Sequence, residues 1–357
     1  MDGNILLNNI IKLGDLYCDG EEFLGQWKGK DLENDWWEAL KFFLNHSFMK
    51  GRRDSLSLDY YYFTCEVIEE KYGIKEDKEA AYSKIREDSI NGYFNYEKIV
   101  KGFKKEKKLD LRNNILLNTN DKENNNKGKK SDIEKQKLKI EINDEFKKKY
   151  KDYTIIKELT KDRKIKDPSR IGKHRRDGFE YSLENDKDLC MVLDVLKFIS
   201  REGRQYVYAY LLELIEVDKG IKNAYKEIDK IKEIGDKLAS FIIRDILLLN
   251  GNSKLNNEEY IYAFPIDTWV LKVAEKMDLL KSEEIQKIIY NKGIKRSLNE
   301  IKSSDIKKIK LELLEKSKEH NSLKFAAGLW LLGTNSLELL IENYLKKEIS
   351  EDKYVRS

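Results

Sequence analysis

Between Leu189 and Leu249 apolar residues recur three and four positions apart in one segment after another, with almost nothing to interrupt them. The chain holds only two prolines, Pro168 and Pro265. Proline removes a backbone donor and ends helices, so a chain with so few is free to run as long helical segments. The spacing predicts helices over 187–200 (Leu189, Val192, Leu193, Val195, Leu196, Ile199) and 204–216 (Tyr206, Val207, Tyr210, Leu211, Leu214, Ile215), with a third over 221–230. A fourth, from Lys237 to Leu249, is apolar on most sides and belongs at the centre of a bundle. Upstream, Trp36 to Leu44 read as a buried helix within 36–50, and Ser57 is the expected N-cap of a helix carrying Tyr60, Tyr61, Phe63 and Val67. Downstream, Pro265 and Asp267 open another helix, with Asp267 as N-cap, and 325–333 and 337–345 form a last apolar pair. No strand pattern and no long-period repeat stands out, so the expected fold class is all-α.

The remaining composition mainly excludes. The net charge of +4 arises from 69 basic and 65 acidic residues, which permits nucleic-acid binding without requiring it. Cys18, Cys65 and Cys190 are scattered and too few for a four-thiolate iron–sulfur centre. His46, His174 and His320 lack metal-ligand spacing, so neither metal nor cofactor is expected. No apolar run has the length of a membrane span and no secretory signal is recognised, which makes the cytoplasm the expected location. From about Gly102 to Tyr150 Lys, Asn and Glu dominate. Such a stretch buries little apolar surface and reads as a mobile insert, either a plain linker or a basic arm that follows DNA phosphates.

Two residues thirty positions apart carry the chemistry. Lys237 follows the turn Lys232-Glu233-Ile234-Gly235-Asp236 between two predicted helices, and Asp267 lies in Phe264-Pro265-Ile266-Asp267-Thr268. A helix–turn–helix with glycine in the turn can aim backbone amides at a phosphate, aided by the helix dipole. Gly235 is expected to give that turn its backbone freedom, and Lys232 to add a point charge. A neutral lysine can attack a sugar carbon, and a carboxylate nearby can stabilise the positive charge that develops as a base departs.

Taken together, Ile231, Ile234, Gly235, Lys237 and Ala239, followed by Pro265, Ile266, Asp267 and Thr268, resemble the signature of the helix-hairpin-helix DNA glycosylase superfamily that includes endonuclease III and 8-oxoguanine DNA glycosylase. The usual hairpin reads Leu-Pro-Gly-Val-Gly-x-Lys and the usual acidic motif (Pro or Ala)-Val-Asp-Thr-His. Lys232 and Glu233 stand where that pattern has Pro and Gly, and Trp269 where His is common. The resemblance covers roughly 200–275, extends more loosely to 36–60 and 320–345, and is absent from the Lys/Asn-rich insert.

The resemblance implies an all-helical, two-domain glycosylase with a DNA cleft between the domains. Segment 1–35 would pack with 251–357, while 36–101 and 171–250 would form a helical barrel interrupted by the insert at 102–170. It implies a monomer that acts on double-stranded DNA bearing a damaged base or an abasic site. Catalysis would fall to Lys237 and Asp267. DNA contacts would come from Lys232, Ile234 and Gly235 in the hairpin, from a wedge among Asn45, His46 and Ser47, and from Arg52 and Arg53 on flanking phosphates. An enzyme acting on a base must take it out of the stack, and Phe241, Trp269 and Phe325 are the aromatic candidates for the receiving pocket. Phe241 qualifies by lying one turn beyond Lys237 on the same helical face, which is equally the place of a core phenylalanine. Lacking a cysteine cluster, the chain is most similar to the branch without iron–sulfur, and oxidised guanine is the first expected substrate. The rival expectation is a DNA-binding or partner-binding module without catalysis.

Overall fold

A computed structural model describes residues 3–21, 23–49, 54–95, 154–165, 180–183, 185–201, 205–217, 220–251, 257–291, 293–318 and 320–335. Its regular elements are almost all helices, as the periodicity requires. Contacts divide the chain into two compact units, one gathering 1–46, 206–230 and 234–357, the other 47–205 and 231–233.

The first unit starts with α1 (Gly3–Asp19) and a 3-10 turn (Leu24–Trp27) and takes in most of α2 (Trp36–Phe48). The second unit holds α3 (Asp54–Tyr72), α4 (Lys78–Ile90), α5 (Thr154–Thr160) and α6 (Asp186–Ile199). The first unit resumes with α7 (Val207–Glu216), α8 (Gly220–Asp229) and α9 (Asp236–Asn250). A 3-10 segment (Asn257–Ala263) follows, then α10 (Thr268–Lys276), α11 (Glu283–Ile289), α12 (Ser303–Ser317) and α13 (Ser322–Asn335). The predicted helices at 36–50, 187–200, 204–216, 221–230 and 237–249 each appear within a few residues of their expected ends.

Two local expectations are corrected. The helix after residue 53 starts at Asp54, so Ser57 lies inside α3, buried, rather than capping it. A two-residue antiparallel ladder, β1 (Tyr290–Asn291) with β2 (Ile294–Lys295), closes through Gly293 at φ 80°, too short to leave an alternating pattern in the sequence. The insert expected at 102–170 holds a helix, Thr154–Thr160, that buries Ile155, Ile156 and Leu159. Most of that segment lies outside the described residues, as does the expected helix at 337–345.

In the second unit α3 packs on α4 and α5, and α4 on α6. Two buried tyrosines tie the layers: the Tyr82 hydroxyl donates to the Ile199 carbonyl at 3.0 Å, and the Tyr181 hydroxyl to Asp59 at 3.2 Å.

The first unit is built around α9, whose residues from Leu238 to Leu247 are all buried. Each fully buried leucine, isoleucine or phenylalanine there stabilises the fold by about 1.5–3 kcal/mol. Gly251 ends the helix by taking the left-handed conformation, φ 63°. Around α9 lie α8, the 3-10 segment at 257–263 and α13. The α1–α13 crossing depends on glycine: a Cβ at Gly14 would lie 2.0 Å from the Lys324 carbonyl oxygen, and one at Gly328 1.9 Å from that of Ile10. A methyl group cannot fit there without separating the helices. A Cβ at Gly333 would lie 2.7 Å from the Cβ of Trp269, so α13 also fixes the first turn of α10, where Asp267 sits. Among the described residues, no helix is long and apolar enough to cross a membrane.

Candidate active site

The sequence before α9 makes a tight, strained turn. Ile231 and Ile234 are buried and anchor it from either side. The Lys232 amide donates to the Asp194 carboxylate at 2.9 Å. The left-handed residue of the turn is Glu233, at φ 63°. Gly235, expected to supply the backbone freedom, has φ −100° and an extended conformation open to any residue, and a Cβ on it would meet nothing within 4 Å. A side chain in the left-handed region costs roughly 1–2 kcal/mol, and glycine relieves most of that while adding freedom to the unfolded chain. Glu233→Gly is therefore expected to stabilise the protein by about 1 kcal/mol, measured by urea denaturation. A loss of stability would show that contacts of the Glu233 side chain outweigh the strain.

Gly235 is the N-cap of α9 and brings no side-chain acceptor. The first amides of a helix have no carbonyl four residues back within it, and this end carries the positive end of the dipole. Lys237 sits in this first turn. Asp267 N-caps α10, as its position after Pro265 predicts: one carboxylate oxygen accepts from the Trp269 amide at 2.9 Å and the Val270 amide at 2.8 Å. The other oxygen faces Lys237, with Oδ2 and Nζ 3.4 Å apart. The carboxylate is 8% exposed and the lysine side chain 28%, so the acid is held in the wall while the amine is within reach of solvent. Capping fixes the acid's orientation, and the amine meets it from a separate helix N-terminus.

Beneath this pair α9 carries a charge cluster not anticipated from the sequence. Arg244 and Asp245 are both fully buried, with the Arg244 Nε donating to Asp245 Oδ1 at 2.8 Å. Asp245 Oδ2 accepts from the Tyr17 hydroxyl at 2.5 Å and lies 2.9 Å from His46 Nε2. The other His46 nitrogen is 2.8 Å from the Phe42 carbonyl oxygen. The Arg244 guanidinium lies over the rings of Phe241, at 4.4 Å, and Tyr17, at 4.7 Å. Burial alone would raise the Asp245 carboxyl, but Arg244 and the His46 hydrogen bond outweigh it and hold the group below its ordinary value. Burial and the Asp245 charge push the Tyr17 phenol well up. The available signal was two adjacent charges on a helix that is otherwise apolar nearly all round; such charges survive burial only when paired.

The other expected site residues divide. Phe241 is buried one turn beyond Lys237, between the rings of His46 at 5.3 Å and Trp330 at 5.4 Å. Phe325 is fully buried against Phe264 and lines no surface. Trp269 is exposed, with the Lys272 ammonium 4.6 Å from its ring centre. Asn45, His46 and Ser47, expected as a wedge, are all buried, and the His46 ring nitrogens lie against Asp245 and the Phe42 carbonyl. The Ile234 side chain is likewise buried, which leaves its backbone for any phosphate contact. Arg52 and Arg53 lie outside the described residues. Among the described residues, no group of three His, Cys, Asp or Glu side chains is arranged to hold a metal ion.

No protein-family model, curated protein or solved structure matches this chain, so the chemistry of the site has to be read from the residues themselves.

Proposed function

We propose that the protein excises a damaged base from double-stranded DNA and then cleaves the abasic site, with Lys237 as nucleophile and Asp267 as its electrostatic and acid–base partner. The observation that carries this reading is the 3.4 Å approach of an accessible amine to a buried, oriented carboxylate. In the reaction the Lys237 nitrogen bonds to the sugar C1′, the glycosidic bond breaks, and the base leaves with its electron pair and takes up a proton. Asp267 stabilises the positive charge that builds on the sugar and accepts the proton shed by the attacking amine. The N-glycoside so formed opens its sugar ring, the C1′–O4′ bond breaking as O4′ takes up a proton, to give an imine between Lys237 and C1′; the imine acidifies the neighbouring C2′–H, and loss of that proton expels the 3′ phosphate and nicks the strand. The dipole and outward amides expected of a helix start such as that of α9 suit a DNA phosphate. The exposed Trp269 face and the Lys272 ammonium over it suit a nucleobase and its backbone charge. The protein would act as a monomer in the cytoplasm, without cofactor, and oxidised guanine is the first substrate to test.

Borohydride trapping tests the reading. The wild-type protein, incubated with a duplex bearing one abasic site or one oxidised guanine, is expected to give a covalent adduct on reduction. Lys237→Gln is expected to give none, whereas substitution of an exposed lysine such as Lys307 changes nothing. Adduct formation that survives Lys237→Gln would overturn the assignment. A second reading, DNA binding without catalysis, is favoured by one observation: an exposed acidic residue, Glu233, is the left-handed residue of the turn before α9. Salt-sensitive duplex binding with no adduct on any lesion would select it.

A further inference from the structure

Immediately before Lys237 stands a second charged network, reaching α9 from two other helices. Asp236 Oδ1 accepts from the Tyr225 hydroxyl of α8 at 2.9 Å and from Lys310 Nζ of α12 at 3.0 Å. Lys310 Nζ also donates to Ser240 Oγ, one turn further along α9, at 3.1 Å. Lys310 is 3% exposed and Ser240 fully buried, so a lysine has been brought into the interior to meet a carboxylate that is itself half exposed. An apolar side chain of similar length would fill that position at lower desolvation cost, so what the lysine adds is the placement of a charge.

We propose that Lys310 is a positioning residue for Lys237: by pairing with Asp236 it keeps that carboxylate from becoming a second counter-ion to the neighbouring amine. The inference rests on the reading of Lys237 as a nucleophile, which must shed its proton to react. Lys237 already faces one carboxylate, Asp267. The other acid next to it in the chain is Asp236, turned by Tyr225 and Lys310 toward α8 and α12. Asp229 of α8 responds to the same charge, its carboxyl raised by burial and by Asp236. Were Asp236 unpaired, its field at Lys237 would add to that of Asp267 and hold the amine in its unreactive, protonated form. Burial lowers the basicity of Lys310, and the Asp236 charge opposes that pull. The contact to Ser240 also braces the first turn of α9, on which Lys237 rides.

The test titrates Lys237 in the free, full-length protein, by the pH dependence of its reductive methylation rate followed by peptide mass spectrometry. Lys310→Met is expected to move the midpoint for Lys237 upward by about half a pH unit. Asp236→Asn, alone or combined with Lys310→Met, is expected to produce no upward shift. Lys310→Gln, which retains a donor to Ser240, serves as the second variant should the methionine variant fold poorly, and is expected to show the same upward shift. An unchanged midpoint in a folded Lys310 variant, or an upward shift that persists once Asp236 is also neutralised, would overturn the inference. Because this titration needs no DNA, its outcome is separate from that of borohydride trapping: an untrapped wild type defeats the base-excision reading, and an unmoved midpoint defeats the role of Lys310.

Discussion

Asp245→Asn is expected to cost the fold about 3–5 kcal/mol, the penalty for removing one partner from a buried charge network. Arg244, His46 and Tyr17 all reach the Asp245 carboxylate, and all four groups are buried. The asparagine amide retains one acceptor but turns a donor pair toward groups that are themselves donors. Arg244 would lose its ionic partner inside the protein, where the rings of Phe241 and Tyr17 offset only part of the cost. Equilibrium unfolding in guanidinium measures it, and a loss below about 1 kcal/mol would show that the cluster is wetter than its burial indicates. The pH dependence has a definite sign. The Asp245 carboxyl titrates below its ordinary value of 3.8 in the folded protein. Its contribution is therefore complete above that ordinary value and is lost as pH falls through the lower, folded one. Wild-type stability should fall in that acid window, and the Asn variant should lack this component of the fall.

The second large effect concerns Asp267, whose two oxygens do different work. Oδ1 caps α10 through the amides of Trp269 and Val270, while Oδ2 faces Lys237. Asparagine caps a helix about as well as aspartate, so Asp267→Asn is expected to change stability by only a few tenths of a kcal/mol. It removes the charge, and the rate of adduct trapping on an oxidised-guanine duplex is expected to fall about 10²–10³-fold. Asp267→Ala loses both functions and should in addition destabilise by about 1 kcal/mol. A trapping rate within tenfold of wild type for the Asn variant would reduce Asp267 to a helix cap and remove the electrostatic half of the mechanism.

The helices were legible because their determinants are local. Apolar spacing along 187–249 placed four of them, and the order Pro265, Ile266, Asp267 placed the cap of α10. The pairing of Lys237 with Asp267 was legible as a motif, though nothing in a one-dimensional pattern states a distance. The turn before α9 misled, because glycine suggests where a chain can bend, whereas the backbone placed its left-handed residue at Glu233.

Periodicity along the chain thus settled where helices form and which faces are apolar, since both follow from the 3.6-residue repeat and the chemistry of helix ends. It left silent which buried charges find each other. Tyr17 and His46 reach Asp245 across 228 and 199 residues of sequence, and Lys310 reaches Asp236 across 74. Such meetings depend on how helices close on one another, as at the glycine-lined contact of α1 with α13, and only the assembled packing makes burial of those charges tolerable.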